Sequence, residues 1–386
     1  MDENSGGVVS KIDLLYRDYG KRAGALKDQG EKIIGYTCSF VPAEIIHASG
    51  AVPFRLRGDV NEPITKGDNN METIACPYMR SCFDLSVKGR YDFLSGLIIP
   101  HACDSMARTY SVWKYCLNLP YSHFINIPHT LSESSMEFFR EELKGFIRSL
   151  GRFLGRDITD EKLRESIALY NRNREKVRAL YELRKADPPM ISGTETAELV
   201  TVCAGLPVEE ANDLLDEALD EFKKRGVSPL QKFPRVMIDG ACIDNVDLIK
   251  VIEKSGANVV VDTLCLGTRD LWPMVDEEGD PVGSLAKRYL EDLNCPRTYR
   301  GNQTGIYQDD LELRFGDIRG FAGDFEADGA IIYHYKYCDP FGFEIHARRT
   351  FFDSLEIPSL YLEDEYSSGT IGQLKTRIQA FVEMLE

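Results

Sequence analysis

The sequence contains no run of about 18 apolar residues, so no membrane-spanning helix is expected. Its opening, MDENSGGVVSKIDLLYRDYG, lacks the apolar centre of a secretory leader, and a cytoplasmic protein is expected. Positive charge is short: 46 Lys and Arg stand against 62 Asp and Glu, a formal charge of −16. Such a chain repels phosphate backbones, and nucleic acid is not an expected partner. There is no G-x-x-x-x-G-K-[ST] loop and no G-x-G-x-x-G turn, so no nucleotide is expected to bind this chain. Neither H-E-x-x-H nor G-x-S-x-G occurs, which removes the zinc-peptidase and serine-hydrolase patterns. No two cysteines are spaced C-x-x-C, which removes zinc ribbons and ferredoxin-type runs.

What the chain does have is ten cysteines in 386 residues. In a cytosolic protein thiols stay reduced, and such a number points to metal or redox work. The bland alternative is that most are small buried hydrophobes. Hydrophobic residues make up 43% of the chain, enough for sizeable cores, and the length suits two or three domains.

Short apolar runs alternate with helical patterns, which predicts an α/β fold built on parallel sheets. Strands are expected at IIGYTC ending at Cys38, 51–57, 95–100 and 123–128. Four more are expected at RVMIDGAC ending at Cys242, NVVVDTLC ending at Cys265, 329–335 and 359–365. They are rich in Val, Ile, Leu, Tyr and Phe with little alternation, as strands buried on both faces should be. The two sets read as one plan used twice. GYTCSFVPAEIIHASGAVPFRL and MIDGACIDNVDLIKVIEKSGANVVVD both run strand, cysteine, helix, Ser-Gly, strand. SGLIIPHACDS and DGAIIYHYKYCDP both end in Cys-Asp. Each unit closes with an amphipathic helix, at 136–150 and 372–385. The expected architecture is two doubly wound units, each with a roughly four-stranded parallel sheet, over 31–158 and 229–386. An N-terminal helical segment (1–30) and a helical bridge (159–228) complete it. The bridge should hold one helix broken at Pro188-Pro189 and a second ended by Gly226.

In open parallel sheets ligands bind beyond the carboxyl ends of the strands. Cys38, Cys103, Cys242, Cys265 and Cys338 all follow strand candidates. Cys76, next to Pro77, opens a probable helix, where amide donors and the dipole favour thiolate. Thiolate is the form that iron–sulfur clusters require. His101 and His334 lie near the ends of the two third strands and are candidate proton donors, although satisfied hydrogen-bonding residues are the plainer reading.

GYTCSFVPAEIIHASGAVPFRLRG resembles the opening motif of the family that holds 2-hydroxyacyl-CoA dehydratase subunits and the B/C-type subunits of ATP-dependent class I benzoyl-CoA reductase. ACPYMRS, YDFLSGLIIPHACDSMARTYSVWKY, KYCDPFGFE and IPSLYLEDEYSSGTIGQLKTRIQAFVEML resemble its later blocks, in order, from about residue 33 to the end. The resemblance implies one [4Fe–4S] cluster per subunit, held by Cys76, Cys103 and Cys338, with Cys82 as a reserve ligand. Cys38, Cys242 and Cys265 are then structural, and Ser39 occupies a position near the active site. It further implies a heterodimer with a paralogous subunit, an ATP-hydrolysing iron–sulfur activator, ferredoxin as upstream donor and a CoA-thioester substrate. Blocks such as SVWKYCLNLPYSHFINIPH are most similar to the reductase branch, so dearomatisation of an aryl-CoA is the expected activity. The alternatives are a 2-hydroxyacyl-CoA dehydratase subunit, a cluster-bearing relay subunit without catalysis, and a metal-free binding protein with buried thiols.

Overall fold

The computed structural model describes residues 7–225, 228, 230–301 and 305–386. Helices α1 (Val8–Arg17) and α2 (Lys21–Asp28) precede β1 (Ile33–Tyr36), α3 (Ala43–Ala48), β2 (Val52–Arg55), α4 (Pro77–Val87), β3 (Gly96–Pro100), α5 (Asp104–Cys116), β4 (Ser122–Ile125) and α6 (Glu133–Leu154). Helices α7 (Asp160–Glu182), α8 (Gly193–Cys203) and α9 (Val208–Lys224) form the bridge. The second half runs β5 (Arg235–Gly240), α10 (Asp247–Lys254), β6 (Asn258–Thr263), α11 (Thr268–Leu271), α12 (Pro281–Ala286), α13 (Tyr307–Asp324), β7 (Gly329–Tyr335), α14 (Asp339–Gly342), α15 (Ile345–Ser354), β8 (Ser359–Asp364) and α16 (Ile371–Leu385).

Among the described residues there are two four-stranded sheets, ordered β2-β1-β3-β4 and β6-β5-β7-β8. Every pairing is parallel. The expected duplication is therefore real at the level of topology. The central strands β1, β3, β5 and β7 are buried along their whole length, which is why they read as unbroken apolar runs. The outer strands β4 and β8 are only half covered. β1, β5 and β6 each stop two residues before their cysteine, so Cys38, Cys242 and Cys265 lie in the loops beyond the strand ends rather than inside the strands.

The halves share a core. Phe54, Leu56, Met79 and Phe83 from the first pack in one cluster with Ile238, Leu248, Tyr333 and Tyr366 from the second. The bridge holds three helices rather than two. α7 ends at Glu182, ahead of Pro188-Pro189, and α8 follows with a capping box in which Ser192 and Glu195 satisfy each other's backbone N–H. Gly226 lies outside the described residues. The N-terminal segment forms two helices, not one. The long excursion between β6 and β7 holds α11 to α13 and a π-helical turn at Lys287–Asp292.

Candidate functional site

In each sheet the first and third strands are neighbours, so the order in which strands are added reverses between β1 and β3 and between β5 and β7, the place where open α/β sheets bind ligands. The strand ends of the two halves face each other across this edge. Ser39 Oγ donates to Cys265 O at 2.8 Å, Gly58 N donates to Asp244 Oδ2 at 2.7 Å, and Arg55 pairs with Asp270 at 3.3 Å.

Three thiols share one local device. Cys76 is the N-cap of α4, Cys103 of α5 and Cys338 of α14. The Cys76 and Cys103 turns are tied, because Cys76 N donates to Ser105 Oγ at 3.3 Å. Tyr337 takes the left-handed conformation at φ 65°, a strained choice for a bulky residue that turns the chain into the Cys338 cap. Burial pushes all three thiols up. The Cys103 pKa reaches about 12, with the neighbouring Cys76 as its next contributor. Cys338 rises well above the ordinary range, pushed after burial by Cys76 and Cys103. Against this, the amides of Met79 and Tyr78 favour the Cys76 thiolate, those of Met106 and Ser105 the Cys103 thiolate, and that of Phe341 the Cys338 thiolate. These amides face the sulfurs without closing to full capping hydrogen bonds.

Half-buried thiols that repel one another's negative charge and face amide donors suit a cationic, sulfur-seeking group that replaces their protons. Among the described residues no three His, Cys, Asp or Glu side chains converge on a single metal ion. An iron–sulfur cubane does not ask for that, since each thiolate holds a different iron atom. Beside the Cys76 and Cys338 turns opens a cleft of about 380 Å³ whose lining includes Thr73, Pro77, Arg80, Tyr337 and Tyr366.

The other sequence candidates fall in varied places. Cys82 is buried inside α4. Ser39 is buried, and its hydroxyl both donates to Cys265 O and accepts from Arg55 Nη1 at 3.1 Å, so it clamps the halves together. His101 is half-buried, with its ring 5.6 Å from that of Phe124 and 5.8 Å from that of His129. His334 is buried in β7, stacked on Tyr361 with Nδ1 3.3 Å from its hydroxyl, and burial pulls its pKa down. Cys295 was not among the sequence candidates. It neighbours Cys265 electrostatically, and the available signal was its Cys-Pro step, which matches Cys76-Pro77.

The sequence comparisons set this fold among the subunits of acyl-CoA enzymes that the sequence motifs resemble. The profile of the 2-hydroxyglutaryl-CoA dehydratase, D-component family matches residues 38–385, and the chain belongs to that family. A benzoyl-CoA reductase subunit of Thauera aromatica is 26% identical over 99% of both chains. The (R)-phenyllactyl-CoA dehydratase beta subunit of Clostridium sporogenes is 25% identical over 93% of both. The lactoyl-CoA dehydratase subunit beta of Anaerotignum propionicum is 24% identical over 93% of both. These relatives are subunits of larger enzymes. No helix among the described residues is long and apolar enough to cross a membrane.

Proposed function

We propose that this chain is the iron–sulfur catalytic subunit of an ATP-dependent benzoyl-CoA reductase, acting on an aryl-CoA thioester to give a cyclic dienoyl-CoA. The observation that carries the reading is the trio of thiols at helix starts, Cys76, Cys103 and Cys338, with the Cys76 and Cys103 turns hydrogen-bonded to each other. The full-length likeness to a benzoyl-CoA reductase subunit supports it. A [4Fe–4S] cluster held there supplies electrons at low potential, down to about −700 mV at the bottom of the range for such groups.

The chain's own contribution is placement. Helix N-termini carry the three sulfurs, and the cleft lined by Pro77 and Tyr337, each next to one of these cysteines, is the candidate place for a thioester. His101, half-buried at the end of β3, is the candidate proton donor that keeps some access to water. His334 is held neutral inside the sheet and serves packing. With no phosphate-binding loop in the chain, ATP hydrolysis falls to an iron–sulfur activator fed by ferredoxin, and a paralogous subunit completes a heterodimer.

A second reading, a 2-hydroxyacyl-CoA dehydratase subunit, is favoured by the family's own description and by the dehydratase beta subunits among the relatives. Anaerobic assay with the partner subunit and reduced activator separates the two. Benzoyl-CoA should yield a cyclic diene; enoyl-CoA formed from a 2-hydroxyacyl-CoA, with no ring reduction, refutes the reductase reading. Cys103→Ser should strip most of the iron from anaerobically purified protein while leaving its helix content unchanged, and full retention of iron would remove the site.

A further inference from the structure

A cavity of about 70 Å³ lies where the first half, the bridge and the second half meet. Tyr36 and Arg55 reach it from β1 and β2, Tyr170 and Arg174 from α7, and Asp270 and Tyr289 from the excursion between β6 and β7. None of its lining residues is exposed, and none belongs to the thiol trio. About 10–15 Å³ of such space admits one water, so there is room for several waters, or for one small ion with fewer.

The wall carries more cation than anion. Arg55 Nη1 lies 3.3 Å from Asp270 Oδ2, and the same carboxylate takes Arg288 Nη2 at 2.9 Å. Arg174 pairs with Glu44 at 2.5 Å. Three guanidinium groups thus share two carboxylates, and all three arginines and Glu44 are at least nine-tenths buried. The other groups that act most on Arg55 are the Cys242 thiol and the phenols of Tyr78 and Tyr36, which burial pushes up and so keeps neutral. A buried cation without its own anion is costly.

Hydrogen-bond donors are unmatched in the same place. Arg55 spends a single nitrogen, Nη1, on Ser39 Oγ at 3.1 Å and on Asp270. Among the described residues its Nε and Nη2 have no acceptor. The hydroxyls of Tyr36 and Tyr170 have no partner among the described residues either, whereas Tyr289 donates to Glu44 at 2.7 Å. An excess positive charge, an arginine with spare N–H groups and two idle phenol hydroxyls around one void fit an anion that accepts hydrogen bonds.

We propose that this cavity binds one small monovalent anion, a halide or a short carboxylate such as formate, held by Arg55 with the hydroxyls of Tyr36 and Tyr170. One negative charge brings three cations and two carboxylates into balance. A doubly charged anion overshoots that balance, and a bulky one exceeds the space. Because the wall draws on both halves and the bridge, the anion acts as a clasp, and its binding favours the assembled chain over the unfolded one. The site goes beyond the proposed function and asks nothing of the thiol trio.

The test takes anaerobically purified protein dialysed into gluconate, an anion too large for the cavity. At fixed ionic strength, replacing gluconate by chloride or by formate should raise the melting temperature along a saturating curve. Whichever of the two acts at lower concentration identifies the occupant as halide or carboxylate. Crystals grown in bromide should show an anomalous peak beside Arg55, or crystals grown in formate a planar anion there. Arg55→Met leaves the wall with one carboxylate per cation and should abolish the rise. Tyr170→Phe should move the curve to several-fold higher anion concentration, and it keeps the test open where Arg55→Met fails to fold. A melting temperature indifferent to chloride and formate overturns the site, even with bromide or formate in the crystal, since that is binding at crystal concentration only. Water alone in the cavity of both crystals overturns it too. Either failure leaves the proposed function untouched.

Discussion

Glu44 lies in the SFVPAE segment, in the short helix α3 that follows the Cys38 turn, and it is fully buried. Arg174 Nη2 reaches Glu44 Oε1 at 2.5 Å and Tyr289 OH reaches Oε2 at 2.7 Å. One carboxylate thereby joins the first half, the bridge and the second half. Arg174→Met should be strongly destabilising, because it leaves a buried charge without its main partner, a loss of about 3–5 kcal/mol for such pairs. The lower end is expected here, since Tyr289 still donates and Arg288 still acts on Glu44 from nearby. Glu44→Gln/Arg174→Met removes the charge with its partner and should recover most of the loss, leaving about 1 kcal/mol for imperfect hydrogen bonding. Urea unfolding of metal-free protein, compared at equal m-value, reads the difference. A loss below about 1 kcal/mol for the single variant, or a double variant no more stable than the single, refutes the reasoning. The pH dependence adds a second check. Burial pushes the Glu44 carboxyl up, but Arg174, Arg288 and Tyr289 more than reverse this, and the net shift is downward. A depressed acid stabilises above its unfolded value, near 4.5, and that contribution is lost as pH falls through the folded value. In Arg174→Met the folded value rises toward the unfolded one, so the acid-dependent loss that Glu44 contributes should shrink.

Two further outcomes follow from single contacts. Gly240→Ala should cost more than about 3 kcal/mol, because a methyl there runs into the Tyr333 carbonyl of the paired strand β7, which the ladder holds fixed; a melting temperature equal to wild type would contradict it. Ser192→Ala should cost about 1 kcal/mol by opening the capping box of α8, and Ser192→Asp should restore most of it, both read by the same urea unfolding.

Both sheets were legible in the sequence because their strands are short, β-rich and buried on both faces, so pattern and structure report the same burial. The duplicated order was legible because each half repeats its punctuation, Cys38 with Ser49-Gly50 and Cys242 with Ser255-Gly256. α8 was not legible: GTETAELVTVC is short and rich in β-branched residues, and tertiary packing against α1 and α9 overrides its weak propensity. The region between β6 and β7 hides its helices for a related reason, since α13 has only a faint apolar stripe among charged residues. The site was legible only as far as topology carries it. That Cys76, Cys103 and Cys338 each begin a helix can be read from Cys-Pro and Cys-Asp steps. The partners of Glu44, 130 and 245 positions away, leave no local trace.

The duplication also accounts for where the sulfur lies. Strand order in each half puts the loops after the first and third strands side by side at the switch point. Cys38 and Cys103 occupy those two loops in the first half, and Cys242 and Cys338 occupy them in the second. Cys76 and Cys295, each followed by proline, lie in the excursions between second and third strands. Six thiols thus form three pairs of equivalent positions under the internal repeat. The halves meet in a shared core, so the repeat sets these positions on both sides of it. The halves then diverge in charge. Arg297, two residues after Cys295, is buried and donates to the carbonyls of Pro128 and Ile127, whereas Arg80, four residues after Cys76, pairs with Asp68. The repeat thus keeps the cysteine positions while the charged side chains beside them find different partners in each half.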